Sequence, residues 1–322
     1  MINSKNTTNL NHTESQISIE SKNSLESMDS TKAGFVAVLG RPNAGKSTFL
    51  NTLLGEKLAL VSHKANATRK RMHLILMEGN TQIVFVDTPG IHKQEKLLNQ
   101  YMLKEAMKAL QDCDILLFLA PITDKISFYE EFLQLSQNKK HILLLTKTDS
   151  VSKEVLFEVM CKYEKFKDCY EALIPISIKD LGSLKRVVEV LVKFIPQNPY
   201  YYDPEILSPN TTKEIAKELI REAVFENLSE ELPYESDVQI TLYKEKQNVH
   251  HIKATIIVHK ESQKGMVIGK GGASLKRIGK EARISIENFV QQKVFLELFV
   301  KVVPSWSKER ENLKKMGYNF ED

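Results

Sequence analysis

The segment GRPNAGKS (residues 40–47) has the residue types and spacing for phosphate binding, and it lies between the apolar run FVAVL and the helical pattern TFLNTLLG. It matches G-x-x-x-x-G-K-[ST] in the strand–loop–helix setting that this motif requires. Gly40 and Gly45 allow successive backbone N–H groups to approach phosphate oxygens, and the start of a helix favours an anion. Lys46 is expected to reach the β- and γ-phosphates, and Ser47 to bind Mg²⁺. The alternative, a glycine-rich turn with an exposed lysine, does not account for the flanking patterns.

The apolar run QIVFVD ends in an acidic residue, Asp87, and continues as Thr-Pro-Gly (88–90). A carboxylate at the end of such a run is where a Mg²⁺-associated group is expected in a P-loop protein. Gly90 can place its backbone N–H beside the γ-phosphate. An Asx turn is the alternative interpretation. Because the segment follows the phosphate loop by roughly 40 residues, the metal-site interpretation is favoured.

The segment HILLLTKTD (141–149) supplies side chains that can distinguish one purine from another. The carboxylate of Asp149 can accept hydrogen bonds from N1–H and the 2-amino group of guanine, a donor pair that adenine lacks. Lys147 can lay its methylene stem over the purine. In the later run PISIKD, Ser177 and the backbone N–H of Ile178 can close the other side of the base. Each run is a weak signal alone, but their order along the chain indicates a guanine site.

These motifs need elements that bring them to one edge of a sheet. Between Gly34 and Ile195, short apolar runs alternate with helix-length segments, which predicts an α/β domain with a doubly wound, mostly parallel sheet. Such a sheet binds its ligand beyond the carboxyl ends of its strands. The proline-rich run PQNPYYYDPEILSP then predicts a linker, and a small α+β module follows it. The predicted divisions are a disordered polar tail (1–32), the nucleotide domain (33–196), the linker (197–209) and the second domain (210–322).

The composition narrows the class of protein. The 322 residues are 42% hydrophobic and 27% charged, which excludes collagen, coiled-coil and wholly disordered chains. The net charge is +4, but residues 233–322 hold 16 Lys/Arg against 11 Asp/Glu, so this end carries an excess of +5. No apolar run approaches the roughly 20 residues that span a bilayer. Three cysteines without a CxxC pair argue against a disulfide framework or a structural metal, so a reducing cytosol is the predicted compartment.

Seven stretches of the chain carry a resemblance to known proteins. They are GRPNAGKSTFLNTLLG, NATRKR, FVDTPGIHK, TKTD, ELIREAVFENLSEELPYES, GMVIGKGGASLKRIGKEAR and LELFVKV. In this order they resemble the translation-factor-related GTPases, and among these the Era family, bacterial GTPases with a C-terminal KH domain. Over about residues 33–320, the resemblance implies a P-loop GTPase domain followed by a type II KH domain. It further implies a Mg²⁺-dependent GTPase that binds 16S ribosomal RNA near its 3′ end and assists assembly of the small ribosomal subunit.

The resemblance also implies roles for individual positions. Thr68, directly before Arg69, matches the switch threonine that closes over Mg²⁺ in the GTP state. The implied Mg²⁺ ligands are Ser47, Thr68 and Asp87, and the implied catalytic residues are Lys46, Thr68, Asp87 and Gly90. The residues implied to contact GTP or GDP are Gly40, Arg41, Pro42, Asn43, Ala44, Gly45, Lys46, Ser47, Thr48, Asp87, Thr88, Pro89, Gly90, Ile91, Thr146, Lys147, Thr148, Asp149, Ser177, Ile178 and Lys179.

Four positions bear on how closely the chain follows this family. Ile91 stands where Ras-like proteins have a water-orienting glutamine, so intrinsic hydrolysis is expected to be slow. Asn43 matches the asparagine with which related GTPases bind K⁺ near the phosphates, and a simple turn residue is the alternative. The guanine motif begins with Thr146 instead of the usual Asn, which is expected to weaken a contact with the phosphate loop. Ala67 replaces a frequent Thr, but Thr68 is in place, so the Mg²⁺ assignment holds.

The run VIGKGGASLKRIG places GKGG (269–272) directly before a predicted helix with basic residues in its first turns. The KH fold uses a G-x-x-G loop to clamp about four single-stranded nucleotides. Residues 264–283 carry a charge excess of +5, which favours RNA over the alternative of a solvated basic surface. The predicted RNA-binding residues are Val267, Ile268, Gly269, Lys270, Gly271, Gly272, Lys276, Arg277 and Lys280.

More than one class of partner stays open at this point. The favoured partners are 16S ribosomal RNA and the small ribosomal subunit, with no DNA. The alternative is a membrane-associated switch in cell-cycle or growth control, with a peripheral fraction at the inner face of the cell membrane beside a cytoplasmic pool. A metabolic P-loop ATPase is a third interpretation, which Asp149 disfavours. For Trp306 and Phe299, core or edge packing is favoured over base stacking.

Overall fold

The computed structural model describes residues 31–62, 64, 67–90, 97–137, 139–229 and 231–318. The predicted disordered tail therefore lies outside the described residues, apart from its last two. Lys32 does not belong to a tail, because it begins the first strand and pairs with Thr81 of a neighbouring strand. Ile91 also lies outside the described residues.

A six-stranded sheet forms the first domain. Its strands are β1 (Lys32–Leu39), β2 (Met72–Glu78), β3 (Thr81–Asp87), β4 (Ile115–Pro121), β5 (His141–Thr146) and β6 (Tyr170–Pro175). The strand order is β2-β3-β1-β4-β5-β6, and neighbouring strands are parallel except β2, which pairs antiparallel with β3. Because side chains alternate along a strand, Val36 and Val38 pack into the core on one face, and Ala37 and Leu39 into the core on the other. The predicted doubly wound sheet is confirmed.

Helices cover both faces of this sheet. They are α1 (Lys46–Leu54), α2 (Leu97–Asp112), α3 (Ser127–Leu135), α4 (Lys153–Glu164) and α5 (Leu181–Phe194). Phe49 and Val187 bring α1 and α5 onto the Val36 side, whereas Leu110, Phe132 and Tyr163 bring the other three onto the opposite side. Among the described residues, no helix combines the length and apolar character needed to cross a membrane.

The segment that joins the domains, residues 197–209, packs along the sheet. The backbone N–H of Ile75 in β2 donates to the carbonyl of Leu207 at 2.7 Å, and the hydroxyl of Ser208 donates to the carbonyl of His73 at 2.6 Å. The side chain of Gln82 adds hydrogen bonds to the backbone at residues 201–202. The segment therefore follows the β2 side of the sheet before the second domain begins.

The second domain is a three-stranded sheet with helices. Its elements are α6 (Thr212–Asn227), β7 (Asp237–Lys246), β8 (Val249–Val258), α7 (Glu261–Ile268), α8 (Ala273–Val290) and β9 (Lys293–Val302), followed by a short helix α9 (Arg310–Lys315). A capping box formed by Thr211 and Glu214 starts α6. Strand β8 lies in the middle of the sheet, where it pairs antiparallel with β7 and parallel with β9. The predicted small α+β module is therefore present.

Alternate residues of β8 and one face of α8 form the core of the second domain. The side chains on β8 are two residues apart and those on α8 are four residues apart, as expected for one face of a strand and one face of a helix. All of them are fully buried. These residues are Ile252, Ala254 and Ile256 on β8 and Ile278, Ala282 and Ile286 on α8.

The two domains share a buried interface. Trp306, which follows β9, is fully buried and packs in one cluster with Leu98 and Tyr101 of α2. Its indole N–H donates to the carbonyl of Glu235 at 3.1 Å. Packing is thus the role of Trp306, as predicted. Phe299 lies on the edge strand β9 and is 51% exposed, so its ring does not belong to the core.

Candidate functional site

A cavity of about 510 Å³ lies at the carboxyl ends of the strands of the first domain, where the sheet topology predicts a ligand. Most of the predicted nucleotide contacts line it. The described ones that do not are Gly40, Arg41, Asp87, Thr88, Pro89, Thr148 and Ser177. The predicted residues that line the cavity are Pro42, Asn43, Ala44, Gly45, Lys46, Ser47, Thr48, Thr68, Gly90, Thr146, Lys147, Asp149, Ile178 and Lys179.

The phosphate loop between β1 and α1 depends on glycine at two points. Gly40 has φ of 150°, and a Cβ there would lie 2.7 Å from the carbonyl oxygen of Leu119. Gly45, with φ of 95°, precedes the first residue of α1 in a left-handed conformation. Asn43 also has a positive φ, 61°, which asparagine tolerates better than most residues. The loop therefore needs these residue types for its shape.

Lys46 is held inside the loop. Its side-chain nitrogen donates to the carbonyls of Gly40 at 3.1 Å and Arg41 at 3.2 Å, and the residue is only 7% exposed. Burial lowers the pKa of Lys46 to about 8. A nearby anion favours the charged form of a buried amine, and phosphate oxygens would supply that negative charge.

Three oxygen-bearing side chains meet beside Lys46. The hydroxyl of Ser47 donates to Oδ2 of Asp87 at 2.9 Å and lies 3.2 Å from the hydroxyl of Thr68. Burial raises the pKa of Asp87 to about 6, although Lys46 and the two hydroxyls oppose the shift. Within the described residues, Oδ1 of Asp87 is buried and has no hydrogen-bond partner. A carboxylate oxygen left over beside two hydroxyls fits Mg²⁺, a cation that prefers oxygen ligands.

Several predicted nucleotide contacts support the loops instead of lining the cavity. The fully buried hydroxyl of Thr88 donates to the carbonyl of Val38 at 2.7 Å. The hydroxyl of Thr148 donates to the carbonyl of Ile176 at 3.0 Å. The guanidinium of Arg41 forms an ion pair with Asp124, which compensates its charge. These side chains fix the backbone on which the contacting residues stand.

The predicted base-recognition residues also come together. The carboxylate of Asp149 accepts hydrogen bonds from the hydroxyl of Ser177 at 2.9 Å and from Lys179 at 2.7 Å. These two partners, Lys179 first, hold the pKa of Asp149 below its usual value, which keeps it charged. Since each carboxylate oxygen can accept two hydrogen bonds, Asp149 keeps acceptor capacity for a base beside these two partners.

Thr146, at the position where the resemblance predicts Asn, has a link to the phosphate loop. Its hydroxyl donates to the carbonyl of Ala44 at 3.2 Å. Lys147 adopts a left-handed conformation with φ of 60°, and its side-chain nitrogen donates to the carbonyl of Asn43 at 3.3 Å. Both residues therefore tie the base-recognition loop to the phosphate loop. The contact that was expected to be weakened is made by a hydroxyl.

In the second domain, the GKGG loop joins α7 to α8. Gly269 has φ of 72°, and a Cβ there would lie 2.8 Å from Cβ of Ser274, whereas Gly271 and Gly272 face open space. This arrangement gives a nucleic-acid backbone close access to the loop. The exposed lysines around it are Lys270, Lys276 and Lys280.

Two predicted RNA contacts are placed differently. Val267 is fully buried beneath the loop, so its side chain supports the loop from the core instead of contacting RNA. Arg277 is exposed, but its guanidinium hydrogen-bonds the side chain and backbone of Asn227 at the end of α6. Ile268 is half-buried. The exposed lysines therefore carry the available charge around the loop.

Comparisons with known proteins match both the nucleotide-binding domain and the second domain. The family described as 50S ribosome-binding GTPase matches residues 35–147, and the family described as KH domain matches residues 219–307. GTPase Era of Campylobacter lari is 46% identical over 288 residues, which make up 89% of this chain and 99% of the relative. GTPase Era of Helicobacter pylori strain G27 is 47% identical over 293 residues, or 89% and 97% of the two chains. The chain belongs to the Era family of GTPases.

Solved Era structures have the same fold. An Aquifex aeolicus Era variant bound to GDP and AlF4⁻ matches with a TM-score of 0.85 and 32% identity, over 90% of this chain and all 100% of the other. Era in complex with MgGDPNP and nucleotides 1506–1542 of 16S ribosomal RNA matches with a TM-score of 0.85, 33% identity and the same coverage. The predicted P-loop GTPase domain, KH domain and GTPase activity are thereby confirmed.

One arginine beside the nucleotide site is buried in the KH domain. Arg69, next to Thr68, is only 3% exposed. Its guanidinium donates to the carbonyls of Ser236 at 2.9 Å and Tyr234 at 3.0 Å. It also lies 3.7 Å from the carboxylate of Asp237, the first residue of β7. The residue after Thr68 is thus held by the other domain.

Asp237 supplies the negative charge that pairs with the buried guanidinium of Arg69. Burial alone would raise its pKa, but Lys217, Arg69 and Arg221 outweigh burial and hold the pKa below the usual value. Its second oxygen accepts a hydrogen bond from the hydroxyl of Tyr318 at 3.0 Å. Sequence reasoning did not find Arg69 or Asp237 as functional residues. The only available signal was the basic run after Thr68, and it does not show which arginine is buried.

Proposed function

We propose that this GTPase binds 16S ribosomal RNA near its 3′ end and assists assembly of the small ribosomal subunit, in the cytoplasm. The Era complex with MgGDPNP and nucleotides 1506–1542 of 16S ribosomal RNA supports the RNA partner, because this chain has the same two domains over 90% of its length. The exposed GKGG loop supports it independently. The observation that carries the proposal is the anchoring of Arg69 in the KH domain, because it joins the nucleotide site to the RNA-binding domain.

Hydrolysis is the attack of water on the γ-phosphate, for which the protein supplies position and charge. Lys46 would exchange its loop carbonyl partners for β- and γ-phosphate oxygens. Ser47, Thr68 and Asp87 would hold Mg²⁺, which when bound neutralises charge on the phosphate oxygens. The backbone N–H of Gly90 would donate to the γ-phosphate; a Cβ at this residue would lie 2.7 Å from the nitrogen of Pro42, so the close approach requires glycine.

A potassium ion is the proposed further cation. Asn43 lines the cavity at its phosphate end, and a cation there would add positive charge where an arginine finger acts in other GTPases. We expect hydrolysis to be faster in KCl than in NaCl, and Asn43→Ala to remove the difference. Equal rates in the two salts, or an unchanged response in the variant, would contradict this part of the proposal.

Nucleotide state is proposed to reach the RNA-binding domain through residues 68–69. Thr68 faces Ser47 and Asp87, whereas Arg69 is bound to the turn before β7. A shift of Thr68 toward or away from the metal would therefore move the anchor of the KH domain. Because coupling is reciprocal, docking of the KH domain would also favour the closed position of Thr68.

The test compares RNA affinity in the presence of a non-hydrolysable GTP analogue and of GDP. In the unchanged protein the two affinities should differ, and typical couplings are about 5- to 150-fold. Arg69→Gln should bring the ratio close to one. Arg71→Gln is the matched control, since the ion pairs of Arg71 among the described residues are with Glu105 and Asp112 of the GTPase domain. If Arg69→Gln kept the ratio of the unchanged protein, the coupling route would be wrong.

The RNA partner needs a separate test in cells. Sequencing of the RNA crosslinked to the full chain should recover the 3′ region of 16S ribosomal RNA. Lys270→Asp combined with Gly271→Asp should remove these crosslinks, because it puts negative charge where the loop meets phosphates. Crosslinks that survive in this variant would reject RNA binding through the GKGG loop.

A further inference from the structure

Helix α8 packs on one face of the KH-domain sheet. On the other face, Ile257 is buried in a cluster with residues of α2 and α9, whereas two phenylalanines on β9 stay exposed. Phe295 and Phe299 on β9 are 52% and 51% exposed. They are four residues apart, so their side chains leave the same face of the strand with a spacing of about 13 Å. The alternate residues of β9, such as Leu296 and Leu298, pack against the core instead.

This outer sheet face is also basic. Strand register places five lysines, Glu297 and the buried Asp237 on it. Glu297 forms an ion pair with Lys253 at 2.9 Å, so the four exposed lysines carry the positive charge of this face. Lys293 and Lys301 flank the phenylalanines on β9, and the ring of His251 lies 5.4 Å from that of Phe295. The exposed or half-buried residues of the outer sheet face are Gln239, Leu242, Lys244, Lys246, Val249, His251, Lys253, Thr255, Lys293, Phe295, Glu297, Phe299 and Lys301.

The topology places the GKGG loop on the helix side of the sheet, opposite the outer sheet face. Because β9 is an edge strand, an RNA chain can pass around it from one side of the sheet to the other. Helix α8 ends at Val290, and β9 begins at Lys293, so the two elements run in opposite directions. Gly279 in the middle of α8 lies against Leu298, because a Cβ there would be 3.5 Å from that side chain. The loop at the start of α8 therefore lies toward the end of β9 that carries Phe299.

We propose that the outer sheet face binds unpaired ribonucleotides that adjoin those held by the GKGG loop. Bases would stack on Phe295 and Phe299, and the lysines would neutralise the phosphates. Every base has a π-face, so such stacking tolerates different sequences. A KH loop holds only about four nucleotides, so a longer RNA needs a further surface. This inference rests on the proposed RNA-binding function and extends it to a second surface.

The experiment measures binding of the full chain to two RNAs cut from the 3′ end of 16S ribosomal RNA. One has about five nucleotides, enough for the loop, and the other about twenty. Phe295→Ala with Phe299→Ala should weaken binding of the longer RNA by about 10- to 100-fold and leave the shorter RNA unaffected. Phe295→Tyr with Phe299→Tyr should restore binding, because tyrosine keeps an aromatic ring.

Phe157→Ala is the matched control, since Phe157 is 69% exposed on α4 of the other domain and should not affect either RNA. Unchanged affinity of the alanine double variant for the longer RNA would overturn the inference. So would equal losses for both RNAs, because the rings would then act through the loop or the fold. Loss of binding to phosphatidylglycerol vesicles with RNA binding intact would identify a membrane surface and also overturn it.

The loop variant separates this inference from the proposed function. Lys270→Asp with Gly271→Asp should abolish binding of the shorter RNA. If the shorter RNA still bound, the function proposed for the GKGG loop would fail, whereas the effect of the phenylalanine variants on the longer RNA would still decide the role of the outer sheet face.

Discussion

Two glycine-rich loops of this protein lead into helices and are suited to phosphates, but they differ in depth. In the loop before α1, a Cβ on Gly40 would lie 2.7 Å from a backbone oxygen, and Lys46 is only 7% exposed. In the loop before α8, Gly271 and Gly272 face open space, and Lys270 is exposed. The first loop encloses its ligand, whereas the second leaves it on the surface.

This difference in depth predicts a difference in selectivity. An enclosed loop surrounds a ligand of fixed size, so each polar atom meets a defined partner, and interactions are stronger where water is excluded. An exposed loop can bind any stretch of a flexible polymer, and salt weakens its contacts. The enclosed loop therefore suits one nucleotide, and the exposed loop suits a chain of them.

The largest expected contrast comes from removing one lysine from each loop. Lys46→Ala should lower the rate of GTP hydrolysis by about 10²- to 10³-fold, the usual effect of losing one preorganised donor to a reacting group. Lys270→Ala should weaken RNA binding only by about 10-fold or less, because other exposed lysines lie nearby. Steady-state hydrolysis and RNA titration of both variants provide the measurement. Similar losses in the two variants would remove the contrast.

The second-largest expected effect concerns base selectivity, which the nucleotide cavity should have and the GKGG loop should lack. Asp149→Asn should reduce the preference for GTP over ATP by about 10- to 100-fold, because a charge-assisted hydrogen-bond acceptor is lost. The amide can donate to the 2-oxo group of xanthine, so binding of xanthosine triphosphate should increase. Competition binding with the three nucleotides measures both effects. A retained GTP preference would show that Asp149 does not read the base.

The shifted pKa values of Asp87 and Lys46 predict a pH range in which GTP hydrolysis is fastest. Below the raised pKa of Asp87, about 6, the carboxyl is protonated and loses its affinity for Mg²⁺. Above the lowered pKa of Lys46, about 8, the amine is neutral and loses its attraction for phosphate. We expect kcat/KM for GTP to fall by about tenfold per pH unit outside this window, since it reports the free enzyme. A flat profile from about pH 5 to 9 would contradict the assignment.

The smallest expected effect concerns the link between the base-recognition loop and the phosphate loop. Thr146→Val removes the hydroxyl that donates to the carbonyl of Ala44, so GDP affinity should fall by about 2- to 10-fold. Thr146→Ser keeps a hydroxyl and should bind GDP normally. Calorimetry of the two variants makes the comparison. Equal affinities would mean that this hydrogen bond does not support nucleotide binding.

The sequence predicts the enclosed loop better than the surface around the exposed one. GRPNAGKS lies between a strand and a helix, and its chemistry depends on neighbours along the chain, so its pattern reports its structure. The order of strands and helices is predictable for the same reason. For Val267 the pattern does not reveal burial beneath the loop, and for Arg277 it does not reveal the pairing with Asn227, which is about 50 residues away in the chain.

The contacts between domains are the part that the sequence does not predict. The run NATRKR contains three basic residues, but only the structure shows Arg69 buried against Ser236 and Arg71 paired with Glu105. The proline-rich segment 197–209 has the composition of a loose linker, yet the side chain of Gln82 and the backbone of β2 bind it. Partners that are distant in the chain leave no local pattern.

The attachment of this segment to β2 limits how the KH domain can swing. An open outer strand invites pairing with other chains and aggregation, and here Leu207 and Ser208 occupy hydrogen-bonding positions along that strand. Since α6 is capped by Thr211, only Pro209 and Asn210 are left between the attached backbone and the helix. A rotation of the domains that keeps this attachment must pivot on these two residues, so the RNA-binding domain can turn only through a small angle.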